Sequence, residues 1–183
     1  MEKQITIFPM PRTGKISLVV APRAVIPGLM QMLSTLALRG PLAVIDGGNC
    51  FDGYTLARAI RRQTHHVQTA LQQIWLSRAF TCYQMGAMLG EMQAGGRPVI
   101  VLDMLATFLD ENVNFSKRQR LLDNCLNLLR KISQDAPVAV WARTRSAPAD
   151  QENHLLLTPL LECAHDLWEL QASQTTEHQL PLF

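Results

Sequence analysis

Apolar residues along this chain gather in short runs, and longer stretches with helical spacing lie between them. The runs are Lys15–Val20, Leu42–Asp46, Ile74–Arg78, Val99–Leu102, Pro137–Ala142 and Asp166–Leu170. They are too short for helices and are expected as strands. Val99–Leu102 has no polar face, and reads as a central strand buried on both faces of a parallel sheet. Helices are expected over Leu29–Leu38, Tyr54–Arg62, Thr81–Met92, Ser116–Ser133 and Leu155–Glu162. Thr81 with Gln84, and Ser116 with Gln119, have the spacing of capping boxes. Leu122, Cys125, Leu129 and Ile132 share one helical face. Gly40-Pro41 stops the first helix, and Gly47-Gly48-Asn49 makes a turn. Ala21–Gly28 and Arg143–Asn153 are expected as loops. The alternation of strand and helix predicts one α/β domain over residues 15–170, with a largely parallel sheet. An arm, residues 1–14, precedes it and is broken by Pro9 and Pro11. A polar tail, residues 171–183, follows it.

Composition narrows the picture. A chain of 183 residues suits one domain with a full core. Hydrophobic residues make up 48% and charged residues 17%, which argues against disorder. A net charge of +2 does not by itself announce a nucleic-acid binder. Cys50, Cys82, Cys125 and Cys163 lack CxxC spacing, so neither a zinc site nor a disulfide framework is expected. His65 and His66 diverge on a helix, and Cys163, His165 and Asp166 lack metal-ligand spacing. Met85, Met88 and Met92 recur at helical spacing and read as core or partner surface. No catalytic triad, metal site or resident cofactor is expected. The N-terminus lacks the apolar region of a signal peptide, and no run approaches the roughly 20 apolar residues of a membrane helix. The expectation is a reduced, cytoplasmic protein with no membrane partner.

Asp103 brings in chemistry. It closes the central strand, at the edge where open parallel sheets bind ligands. In phosphate-binding ATPases an Asp there holds Mg²⁺, directly or through water. An Asp there also caps a following turn, and the stretch alone leaves both readings open.

Several stretches taken together resemble the ATPase core of the RecA/RadA recombinase family. A strand ending in Asp46 is followed by Phe51 and an arginine-rich helix. Ser77-Arg78-Ala79-Phe80-Thr81, then Tyr83-Gln84, is similar to a strand-to-helix junction of RadA-type proteins. Leu102-Asp103 with Ala106-Thr107 resembles their second nucleotide motif, and Ser116–Arg120 the start of the helix after their first DNA-binding loop. The resemblance spans roughly residues 12–170. It implies a RecA-like three-layer fold, and a vestigial nucleotide-site role (the Walker B position) for Asp103. It also implies DNA contacts from Lys117, Arg118, Arg120, Arg143 and Arg145, where the two DNA-binding loops fall.

The departures from that family matter more for function. A phosphate loop needs GxxxxGK[ST], for backbone donors, a charge-neutralising Lys and a metal-binding hydroxyl. The loop in that place, Ala21–Gly28, has no Lys and two prolines. Arg23 within it is expected in solvent. Gly14-Lys15 precedes the strand rather than following it. The family's catalytic Glu falls at Gly48. ATP hydrolysis is therefore not expected. No N-terminal DNA-binding module and no clear FxxA-type polymerisation motif is found ahead of the first strand, so filament formation by this chain alone is not expected.

The last five residues, Gln179-Leu180-Pro181-Leu182-Phe183, resemble the peptide by which bacterial proteins bind the DNA sliding clamp. Leu182 and Phe183 would fill an apolar pocket while Gln179 bonds at its rim. The polar stretch before them would act as a tether. Together the resemblances imply a non-catalytic accessory protein of DNA repair or translesion synthesis. It would dock on the sliding clamp and on a polymerase or RecA-type recombinase. The alternatives are an ATP-binding recombination protein with an unusual phosphate loop, and a structural recombinase paralogue in a homo- or hetero-oligomer. Direct contact with DNA is open.

Overall fold

The computed structural model describes residues 8, 10–110, 112–144 and 151–170. Among these, strands and helices alternate: β1 (Ile16–Ala21), α1 (Ile26–Ala37), β2 (Leu42–Asp46), α2 (Gly53–Arg61), α3 (Val67–Gln72), β3 (Ile74–Arg78), α4 (Cys82–Gly90), β4 (Val99–Leu102), α5 (Phe115–Asp135), β5 (Val138–Arg143), α6 (Gln151–Cys163) and β6 (Asp166–Glu169). The strands form one sheet in the order β3-β2-β4-β5-β1-β6, and every pairing is parallel. One row of residues crosses the whole sheet, Ser77–Ile45–Val101–Val140–Leu18–Leu167.

The two faces of the sheet are covered separately. Residues of α1, α2 and α3 pack on Val19, Val44, Ile100, Leu102 and Trp141. Residues of α4, α5 and α6 pack on Leu18, Ile45, Val99, Val101 and Val140. This is a three-layer α/β sandwich. The division follows from a rule of chirality. Connections running from β1 toward β3 use one face and those running back use the other, as a single crossover hand demands. Core leucines such as Leu29, Leu33, Leu122 and Leu129 are fully or almost fully buried, each contributing about 1.5–3 kcal/mol of transfer free energy. Phe8 and Met10 of the arm also join the α1–α3 layer.

Local caps explain where helices begin. Thr81 accepts from the Gln84 N–H at 3.2 Å, as its spacing predicts, but the Gln84 side chain accepts from Phe80 N–H at 2.8 Å. At α5 the expected Ser116–Gln119 box is not the cap. Asn114 takes that role and accepts from the Ser116 N–H at 3.0 Å. α6 begins at Gln151 rather than Leu155, so the preceding loop is shorter than expected. α1 begins at Ile26, because Pro27 sits in the first turn where its missing N–H costs nothing. The stretch Ala21–Gly28 is thus not an open loop. Ala21 closes β1, and only Pro22 and a 3-10 turn, Arg23–Val25, separate it from α1. None of the described helices is long and apolar enough to cross a membrane.

Candidate functional site

Chain crossovers part at the carboxyl edge of the sheet between β2 and β4. The connection leaving β2 enters the α1–α3 layer and that leaving β4 the opposite one, and such a parting is where open sheets take ligands. Asp46, Arg78, Asp103 and Arg143 all stand at strand ends on this edge.

Asp46 is consumed by its own turn. Its buried carboxylate accepts from Cys50 N–H at 2.9 and 3.0 Å and from Phe51 N–H at 2.9 Å. The Arg78 Nε lies 3.8 Å away. These bonds fold Gly47–Cys50 back over the end of β2, so Asp46 acts as a turn-holding residue.

Asp103 has a different setting. Its backbone is left-handed, at φ +46° and ψ +53°, a region few residues other than glycine enter. Its side chain is 1% exposed, and Oδ2 pairs with Arg143 Nη2 at 2.8 Å. The Arg143 N–H approaches Oδ1 at 3.4 Å, and Cys50 Sγ lies 3.9 Å from Oδ2. Gly48 lies against the same carboxylate, and a Cβ there would stand 2.5 Å from Oδ2. The Cys50 thiol is pushed up by burial and then by the neighbouring Asp103 and Asp46 carboxylates, with Arg143 opposing them. It stays a neutral thiol at physiological pH.

These residues do not fit a magnesium nucleotide. The carboxylate that would meet the cation already holds a guanidinium in contact. The turn that would wrap phosphates is closed. Pro22 and Pro27 carry no N–H, and those of Val25 and Ile26 go to the Pro22 and Arg23 carbonyls. Behind it, Trp141 Nε1 donates to the Ala21 carbonyl at 3.1 Å, which ties the end of β1 to β5. Arg23 is exposed, as expected.

The residues assigned to DNA do not form one patch. Lys117 is exposed and sits over the Tyr83 ring at 5.2 Å, and the neighbouring Tyr83 raises its pKa. Arg120 is exposed and lines an open groove between α5 and α6 with Asp123 and Glu162. Arg118 is a correction. It is 3% exposed, donates to the Phe108 carbonyl at 3.1 Å and pairs with Glu152 at 2.8 Å. It therefore ties α5 to α6 and to the segment after β4, out of reach of a DNA backbone. The sequence carried that signal. Arg118 is four residues before Leu122 and falls on the same apolar stripe. Arg143 is likewise turned to Asp103 rather than to solvent. Arg145, Gln179, Leu180, Leu182 and Phe183 lie outside the described residues.

Cys50, and the partnership of Asp103 with Arg143, were not legible as a site. Their contact spans 40 residues of sequence and depends on the β4–β5 register, Val101 beside Val140. No protein-family model matches the chain, and no curated protein matches it either.

Proposed function

We propose that the chain is a non-catalytic RecA-like accessory protein of DNA repair or translesion synthesis. It docks on the DNA sliding clamp through Gln179–Phe183, and on a polymerase or RecA-type recombinase through its core. The observation that carries the non-catalytic half is the Asp103–Arg143 pair. A guanidinium replaces the cation that phosphoryl transfer would need at that carboxylate. The docking half rests on the terminal peptide, whose apolar anchors follow a polar tether. Compartment follows from this reading, since clamp and polymerase share the cytoplasm of a bacterial cell. Any DNA contact falls to Lys117, Arg120 and Arg145, and is secondary to protein docking.

The test is a pull-down with a bacterial sliding clamp, using the full chain and a form ending at His178, beside an ATP turnover assay with and without single-stranded DNA. Clamp retention lost with the last five residues, and no turnover, is the expected result. Turnover abolished by Asp103→Ala would overturn the non-catalytic half. Equal clamp retention, or none, in both forms would overturn the other.

A further inference from the structure

Both edges of the sheet are open among the described residues, and both carry exposed apolar side chains. On β3, Trp75 is 59% and Leu76 38% exposed; on β6, Leu167 is 47% and Trp168 45% exposed. Unpaired edge strands of this kind template pairing with another chain. We propose that β3 of one copy pairs with β6 of the next, so that the parallel sheet continues from molecule to molecule.

The register argues for this occupant. Residues of β3 and β6 alternate between the two faces in step with the rest of the sheet. Trp75 and Ser77 lie level with Ala43 and Ile45, on the α4–α6 face; Leu76 and Arg78 lie level with Val44 and Asp46, on the other. On β6, Leu167 lies level with Leu18 on the α4–α6 face, and Asp166 and Trp168 lie level with Ser17 and Val19 on the other. The register that sets Trp75 level with Leu167 keeps the faces aligned and leaves Glu169 on the diagonal from Trp75. It also sets Leu76 level with Trp168 on the other face. Apolar surface meets apolar surface on both faces.

Charge selects the same pairing. The β3 edge is cationic, with the Arg97 guanidinium 4.2 Å over the Trp75 ring and with Arg78 at its end, whose charge Asp46 shares at 3.8 Å. The β6 edge is anionic, with Glu169 and with Asp166, whose charge Lys15 shares at 3.2 Å. Pairing β3 with β3 gives its cations no anionic edge to face, and pairing β6 with β6 gives its acids no cationic one. Pairing β3 with β6 brings Trp75, with the Arg97 guanidinium over its ring, to the face of the strand where Glu169 stands. It also covers both edges with one kind of contact, a heterologous one that leaves each assembly with a free end. It needs no polymerisation motif in the arm.

The three tryptophans report on it. Trp75 and Trp168 mark the two edges, and Trp141 is 1% exposed whatever the assembly. In a concentration series of the full chain, the weight-average mass by sedimentation should rise above that of one chain. Two of the three indoles should lose their quenching by acrylamide as it does. Trp75→Ser with Leu76→Ser blocks one edge, and Leu167→Ser with Trp168→Ser the other. All four positions are solvent-facing, so both variants should keep their far-ultraviolet spectra. Each alone should be monomeric, and an equimolar mixture should give a dimer that grows no further. A variant of one edge that still dimerises alone would make the contact isologous and overturn the proposal. So would a wild-type chain that stays monomeric, whether its edge indoles are quenched or are protected by its own arm or tail.

Discussion

Gly48 and Asp103 are packed so closely that a Cβ on residue 48 would stand 2.5 Å from Asp103 Oδ2 and 2.6 Å from its Cβ. Asp103 is backbone-constrained and paired with Arg143, so it cannot retreat cheaply. The glycine is therefore a requirement of the ion pair, beyond the loss of an acid. Gly48→Ala should destabilise the fold by about 1–3 kcal/mol, as overpacking does. Gly48→Glu, which puts an acid where recombinase-type ATPases carry one, should lower the Tm further and confer no ATP turnover. Calorimetry of the two variants beside wild type checks this, and an unchanged Tm for Gly48→Glu would refute it.

The Asp103–Arg143 pair should behave as one unit. Removing one partner strands the other's charge, at a cost of about 2–3 kcal/mol. That lies below the figure for a fully buried pair because the Arg143 side chain is 25% exposed. Asp103→Asn and Arg143→Met should each lower the Tm, and the double variant should lose less than the sum. Denaturation of the four proteins in a double-mutant cycle measures the coupling. Strict additivity would mean that the pair contributes nothing.

Most of the fold was legible, and the reasons are local. The strand runs are observed to within a residue or so, because a short, mainly apolar run bounded by turn residues has few other fates. α3 is not foreseen, since its apolar stripe of Val67, Ala70 and Leu71 is a single turn long and only Ala70 is fully buried. The cap of α5 moved to Asn114 because two side chains competed for the first turn and spacing alone favoured Ser116. The site was less legible. Asp103 was singled out from its strand, but the partner that decides its chemistry was assigned to DNA. A strand-ending Arg and a strand-ending Asp meet only once strand order puts β4 beside β5.

All four cysteines are buried, and burial pushes each thiol up, Cys125 to about 12. Thiols raised above their unfolded value of 9.0 contribute stability that is fully present below that pH. It is lost as pH climbs toward the folded values. The Tm should therefore fall steeply above about pH 9, and Ellman's reagent at pH 8 should find no reactive thiol until denaturant is added. Rapid labelling of the native protein would contradict this.

DNA binding, where it occurs, should be weak and salt-sensitive. With Arg118 buried, Lys117 and Arg120 offer two contacts on α5, each worth about 0.9 in log–log salt slope. Reversing Lys117 and Arg120 should weaken binding and leave the Tm nearly unchanged. Arg118→Glu should instead lower the Tm, by placing a carboxylate opposite Glu152 and the Phe108 carbonyl. Fluorescence anisotropy on single-stranded DNA across a salt series, run beside thermal melts, separates the two roles. A normal melt for Arg118→Glu together with lost DNA affinity would return Arg118 to the DNA contacts.

The terminal peptide should bind a sliding clamp as a detachable ligand. Leu182 and Phe183 are its anchors, since burying each apolar side chain contributes about 1.5–3 kcal/mol. Gln179 adds orientation more than energy. Leu182→Ala with Phe183→Ala should weaken clamp binding at least about tenfold, because even the lower figure exceeds the 1.4 kcal/mol of one decade. The Tm of the core should hardly move. The two measurements divide the rival accounts of the tail. A ligand loses affinity and keeps stability, whereas a segment packed on its own domain would lose stability first. A synthetic peptide of Gln179–Phe183 settles which, because it carries the anchors without the domain. Affinity of that peptide for the clamp, abolished by the same two substitutions, is the expected outcome. No affinity, with a Tm lowered by several degrees in the full-length double variant, would assign the tail to the core and remove the link to replication.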